Sequence, residues 1–482
     1  MRPNQHELVE SLRARFGARM VETDPEALAP WLTDWRNRFH GAAPALLSPE
    51  SLEEVQAVVA LAGAAGVPLV PQGGNTSMVG GATPPADGSA VILSLRRMKR
   101  IRALSAESSL AVAEAGVILA ALQDAAQEIG RRFPLDLGSR GSATVGGLVS
   151  TNAGGTQVLR FGTMRGLVAG VEAVLPDGSV HDGLSALKKD NRGYDLNQLL
   201  IGAEGTLGIV TAATLRLVPS VVSRAVAWVG LDSPEQALRL LRHAERRTEA
   251  VESFEIIPAE ALASVLAHIP GTRAPVDAGR RWHVLIEAVS SDPGERAPDD
   301  LLAALLGEAL EAGLAQDGVV SASEAQAEAF WRIRHGISES ERARGPAVQH
   351  DISVPVDAMP GFMTGAGAEI EARFPGTRAV AYGHLGDGNV HFHVRAPAGA
   401  DRSRWYADEA PGITRAVHDL VVAAGGSISA EHGVGQMKRD ELARLGPASR
   451  LAALRAIKRA LDPAGILNPG KLVTLAPAPD RP

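Results

Sequence analysis

Three stretches dense in glycine and small hydroxyl residues, 72–81, 134–155 and 202–210, limit what this chain can become more than any other feature of it. Glycine at this density lets the backbone approach a ligand closely, so that its N–H groups can face phosphate oxygens. None of the three matches G-x-G-x-x-G between a strand and a helix, or the P-loop pattern ending in Gly-Lys-Ser/Thr. Several separated loops in one region suggest instead an extended cofactor threaded across a domain. Their surroundings read as α/β: Ser51 and Glu54 make a capping box opening a helix over 51–66. An extended run follows at 67–71, and an alternating strand is predicted over 211–218.

At 482 residues the chain is too long for one core and calls for two or three domains. Residues 1–40 read as a helical, polar lead-in, and Pro219 is a boundary. Beyond it, strand-like runs (225–231, 282–289) alternate with helical ones (234–250, 299–312), which predicts helices covering an antiparallel sheet. The division expected is 1–219, 220–460 and a C-terminal segment 461–482 that ends in a Pro-rich tail, 476–482.

The second domain carries a denser signal, Ala381-Tyr382-Gly383-His384-Leu385-Gly386-Asp387-Gly388-Asn389-Val390-His391-Phe392-His393. Asp387-Gly388 is a hairpin signal, because both residues tolerate the positive φ of a tight primed turn. A turn of just these two residues would set His384 directly opposite His391. Cross-strand Cβ atoms lie roughly 4.5–5.5 Å apart, so both imidazoles could reach one metal ion. Glu431-His432, inside Ser429-Ala430-Glu431-His432-Gly433-Val434-Gly435, offers a carboxylate and another imidazole. His384, His391 and Glu431 therefore read as ligands of a divalent metal, with His432 for proton transfer. Two further stretches belong with these: a helical one, 330–342, in which Arg334 and Ser338 are four apart and share a face, and a strand, 349–355.

The order Pro-Gln-Gly-Gly-Asn-Thr (71–76), Gly-Ser-Arg-Gly-Ser-Ala-Thr-Val-Gly-Gly (138–147), Thr-Asn-Ala-Gly-Gly (151–155), Arg-Phe-Gly-Thr-Met-Arg-Gly (160–166) and Gly-Ala-Glu-Gly-Thr-Leu-Gly (202–208) resembles the FAD domain of the vanillyl-alcohol-oxidase/p-cresol-methylhydroxylase superfamily. His-Leu-Gly-Asp-Gly-Asn-Val-His followed by Glu-His-Gly-Val-Gly is similar to the FAD-linked D-2-hydroxyacid dehydrogenases of the D-2-hydroxyglutarate and D-lactate type. The likeness covers roughly residues 30 to 472. It implies an α+β protein with a two-subdomain FAD-binding domain and an α+β substrate (cap) domain. FAD would be non-covalent, since the chain has no Cys and these loops hold neither His nor Tyr. The cofactor residues implied are Pro71, Gln72, Gly73, Gly74, Asn75, Thr76 and Ser77 on the pyrophosphate. Along the flavin and ribityl chain come Pro134, Gly138, Ser139, Gly141, Ser142, Thr144, Gly146, Gly147, Thr151, Asn152 and Gly154. Glu204, Gly205, Gly208, Ile209 and Asn468 complete the set.

The same resemblance implies zinc or manganese on His384, His391 and Glu431, His432 as base, and Arg334 and Ser338 on the substrate acid. It also marks two departures: Gln349 stands where the family usually has Lys, and His393 where it usually has Asn. Both are expected to line the substrate pocket. Oxidising a 2-hydroxyacid removes a proton from oxygen and a hydride from carbon. A metal lowers the pKa of the hydroxyl, a neutral imidazole takes its proton, and flavin N5 takes the hydride. Candidate substrates are D-2-hydroxyglutarate, D-lactate and D-malate, with glycolate or another small 2-hydroxyacid as an alternative.

Composition narrows the partners. Net charge is 48 − 55 = −7, which argues against a nucleic-acid surface. No apolar run reaches the roughly 18 residues of a membrane span, and 1–19 does not resemble a signal peptide, so the expected location is cytoplasmic. Without cysteine there is no thiolate-held cluster to relay electrons, and an external acceptor is required. Electron-transfer flavoprotein, a quinone and a cytochrome all suit; a homodimer is left open. Two other readings compete: a non-catalytic flavin-binding subunit of a redox complex, and an ether-lipid synthase of the same fold.

Overall fold

The computed structural model describes residues 1–277 and 279–475; the Pro-rich tail expected at 476–482 lies outside them. Contacts divide the chain into two units. The first comprises Met1–Gly155, Gly162–Pro219 and the segment from Glu431 onward, and the second Thr156–Phe161 and Ser220–Ala430.

The first unit holds two principal sheets, as the two-subdomain expectation requires. In one, the strands Val21–Glu22, Leu46–Leu47, Val91–Ser94 and Leu69–Gln72 lie in that spatial order, the last three parallel. Ser51 caps the helix Leu52–Ala65 by accepting from the Glu54 N–H, and Gly66 closes it in the left-handed region. The other is antiparallel, in the order Ile101–Ser105, Leu110–Glu114, Ile209–Arg216, Val168–Val174, Val180–Asp182. Val58, Leu69 and Leu93 beside the first sheet share a core with Ala115, Val174 and Ile209 from the second.

The chain rejoins this unit at Glu431, not at 461 as expected. The buried Glu204 carboxylate accepts the backbone N–H groups of Val434 and Gly435, each at 2.7 Å, so the Glu431-His432 turn is anchored here. Farther on, buried Lys458 donates to Asp462 and to the carbonyls of Thr206 and Leu467.

The second unit is built on a seven-stranded antiparallel sheet. Its order is Asp317–Val320, Ser223–Leu231, Trp282–Ser290, Val251–Pro258, Arg378–His384, Asn389–Arg395, Ala347–Ser353. Strand residues alternate between its two faces. One face is apolar apart from buried His350, which meets Thr414: Val229, Ile256, Ile286, Ile352, Leu385, Val390 and Phe392 pack under four helices, Pro234–Glu245, Pro298–Glu311, Met359–Arg373 and Ala410–Ala423. The other meets the helix Glu324–Ala343, capped by the Ser323 side chain on the Gln326 N–H. Its buried stripe of Ala327, Phe330, Trp331, Arg334 and Ile337 has helical spacing, with a guanidinium set among apolar residues. That charge needs a partner on the sheet.

Candidate active site

The hairpin forms, but with a wider turn than its sequence suggests. Gly388 N–H reaches the His384 carbonyl, and strand pairing closes at His384 opposite Asn389. Four residues, 385–388, therefore lie in the turn rather than two. The reason is lateral: the Leu385 N–H pairs with the Phe254 carbonyl of the neighbouring strand, and its side chain is fully buried in the apolar core. Gly388 takes φ +80° in the turn, where any Cβ would stand 2.1 Å from the Val354 carbonyl oxygen. The register thus differs from expectation by two residues, and His391 faces Tyr382 instead of His384. A slip of two preserves the face. His384 and His391 become diagonal neighbours with ring centroids 5.3 Å apart.

Around this pair the sheet gathers charged and polar groups. Glu255 lies opposite His384 in register and is wholly buried. Its two oxygens accept from His384 Nδ1 at 2.6 Å and from Arg334 Nε at 2.7 Å. Burial pushes its carboxyl upward, but the charges and hydrogen bonds of His384 and Arg334 outweigh that and hold it below the usual range. His391 sits well below an ordinary imidazole, because burial and then the neighbouring His384 and Arg334 disfavour its cation. Tyr382 bonds Ser338 Oγ at 3.1 Å, and the Arg334 guanidinium lies 5.2 Å from its ring centroid. Arg334 and Ser338 thus meet the same tyrosine, as their shared helix face predicted. Asp351 faces His391 in register, and Gln349 faces His393, so the two family departures are strand partners.

In the first unit the glycine loops enclose a cavity of about 530 Å³, within the roughly 300–1,000 Å³ of small-molecule and cofactor sites. Pro71 through Ser77 line it, with Gly138, Ser139, Ser142, Thr144, Gly146, Gly147, Thr151, Gly154, Glu204, Gly205, Gly208, Ile209 and Asn468. Glu431 and His432 line it too. Three expected residues do not. Pro134 is buried beneath the loop and Gly141 faces solvent. Asn152 ends the helix Val145–Thr151 at φ +50°, its side-chain oxygen accepting from Thr163 Oγ1 and the Arg165 N–H. Glu204 acts here through its hold on the 434–435 backbone; burial pushes its carboxyl upward against those two donors.

Sequence reasoning missed Glu255, which comes from a strand with no motif of its own. It also missed apolar wall residues such as Trp35, Leu95, Leu148 and Val210. Hydrophobic periodicity signals that such residues are buried, and nothing local says against what.

The cavity suits a long ligand rich in acceptors and donors. Three of its buried polar atoms, Gln72 Oε1, Thr144 Oγ1 and Asn468 Oδ1, have no hydrogen-bond partner among the described residues. A Cβ on Gly74 would stand 2.0 Å from the Ser142 carbonyl oxygen, so the loops close on one another only without it. FAD fits this donor set. For a divalent metal, the two adjacent imidazoles, one oriented by a carboxylate, are a fitting donor pair.

Comparison with known proteins supports the flavin. Residues 43–183 match the family described as FAD binding domain, and residues 222–472 match FAD linked oxidases, C-terminal domain. The chain is 37% identical over 461 residues to a mitochondrial D-2-hydroxyglutarate dehydrogenase of Arabidopsis thaliana, covering 95% of this chain and 80% of that one. It is 38% identical over 456 residues to that of Bos taurus, covering 94% and 81%. With D-2-hydroxyglutarate dehydrogenase of Xanthomonas citri it shares 37% over 469 residues, 97% of each chain. Among solved structures, p-cresol methylhydroxylase superposes with a TM-score of 0.76 at 17% identity over 98% of both chains. An alkyldihydroxyacetonephosphate synthase gives 0.72 at 17% identity over 97% of this chain and 86% of that one. At that identity these structures speak for the fold alone. The chain belongs to the FAD-linked D-2-hydroxyacid dehydrogenase family and is a flavoprotein oxidoreductase.

Proposed function

We propose that this enzyme oxidises a D-2-hydroxyacid to the 2-oxoacid with metal assistance, and that D-2-hydroxyglutarate, the acid named in its relatives, is the first substrate to test. The observation that carries the reading is the His384–His391 pair on one sheet face, backed by Glu255 and beside Arg334. His384 and His391, with Glu431 as a third ligand, would hold a zinc or manganese ion. When bound, that ion supplies positive charge at the substrate hydroxyl, and FAD supplies the hydride acceptor.

The protein's own groups do the rest. Arg334 presents forked donors to the planar carboxylate, and Ser338 adds a hydroxyl. His432 receives the hydroxyl proton on an imidazole nitrogen. Gln349 and His393, strand partners, meet the far end of the substrate. Reduced flavin is reoxidised by an external acceptor, in keeping with a chain that lacks cysteine, and a cytoplasmic setting is part of this proposal.

The test is anaerobic. D-2-hydroxyglutarate, D-lactate, D-malate, glycolate and the L-acids are mixed with the yellow protein before and after EDTA. Bleaching by a D-acid that EDTA abolishes is expected. Full reduction by metal-stripped protein would remove the metal from the mechanism. Failure of every acid to bleach the flavin would favour a non-catalytic flavin-binding subunit.

A further inference from the structure

We infer that Glu255 is a positioning residue that orients both the metal-facing imidazole and the carboxylate-binding guanidinium of this site. The inference rests on the functional reading above and deepens it, giving a role to a residue that the reading names only as a neighbour. Glu255 is wholly buried, and it comes from the strand Val251–Pro258, which pairs with the hairpin only at its His384 end. One oxygen meets His384 Nδ1 at 2.6 Å and the other meets Arg334 Nε at 2.7 Å. An ionised carboxylate can only accept, so Nδ1 must carry a proton, and when His384 gives up its other proton to bind a metal the lone pair is on Nε2. Likewise the bond to Nε directs the guanidinium so that its terminal nitrogens form the fork available to a substrate carboxylate. One acidic side chain thereby sets two recognition groups at once. Its ring-facing bond spans 129 positions in sequence.

Glu255→Gln tests this at nearly constant shape. If the amide oxygen stays with Arg334 Nε, the amide NH2 faces His384 and forces the opposite tautomer, with the proton on Nε2. The experiment uses the full-length, flavin-loaded protein labelled with 15N-histidine, reading long-range 1H–15N correlations assigned with a His384→Gln variant. The unmutated protein should show His384 protonated at Nδ1, and Glu255→Gln should move that proton to Nε2. Zinc affinity, measured by chelator competition, should fall about ten- to hundredfold while flavin content holds. Glu255→Asp, which keeps the carboxylate, should retain the Nδ1–H form.

A His384 protonated on Nε2 but not on Nδ1 in the unmutated protein overturns the inference, and that measurement needs no variant to fold. So does a Glu255→Gln protein whose tautomer and zinc affinity match the parent within about threefold. If the parent takes up no zinc but its tautomer responds to Glu255→Gln, the metal reading falls and the role of Glu255 stands.

Discussion

The cavity of the first unit and the sheet face of the second are built from opposite materials. Around the cavity, backbone and small side chains do the work: Gly74 and Thr144 matter for how closely loops approach and for which polar atoms stay open. On the sheet face, long charged side chains are packed against one another. Glu255, Arg334 and His384 are placed to within a hydrogen bond, and His391 in ring contact with His384, by strand register and one buried helix stripe. A backbone-lined cavity is sensitive to added atoms and tolerant of most deletions. A site of interlocked side chains behaves the other way, because removing one member leaves another buried charge without its partner.

The largest expected effect tests the side-chain half. His391→Ala should lower turnover on the order of 10³-fold, the several kcal/mol a metal contributes to charge stabilisation, with the flavin spectrum unchanged. Rapid-mixing reduction of the flavin measures it; a loss of flavin together with turnover would mean that the two regions are not separable in this way. Arg334→Lys keeps the charge and loses the fork. A charge-assisted hydrogen bond contributes about 1.5–3 kcal/mol, so KM for the hydroxyacid should rise roughly ten- to hundredfold.

Gly74→Ala inverts the pattern. Overpacking costs about 1–3 kcal/mol, so flavin affinity should fall roughly five- to hundredfold while turnover per bound flavin stays close to the parent's. Fluorescence titration of the apoprotein with FAD separates those quantities. The smallest change, Thr144→Val, removes a single open oxygen from the cavity wall. A neutral hydrogen bond is worth about 1 kcal/mol, giving about a fivefold weaker FAD complex. An unchanged affinity would show that Thr144 serves loop packing alone.

Much of this arrangement was legible before any coordinates. The glycine loops, the Ser51 cap, the strands expected at 211–218 and 282–289 and found at 209–216 and 282–290, and the shared face of Arg334 and Ser338 all follow from short-range rules of spacing and φ. That His384 and His391 share a face also follows from the chain alone. The strand period of two survives any even change in the turn, so the parity stood although the exact pairing did not. Zero cysteines and the two family motifs settled the class of chemistry.

Tertiary structure decided the rest. Leu385 had to choose between a tight turn and a place in the core beside Phe254, and burial prevailed. Glu255 became a partner of His384 and Arg334 because two distant strands pair, and no local pattern announces that. The return of the chain at Glu431 depends likewise on Glu204 reaching two backbone donors far along the sequence. Local periodicity is written in neighbouring residues and can be read there. The identity of a long-range partner is set by which buried charges and apolar faces must be satisfied together, and only the folded chain poses that problem.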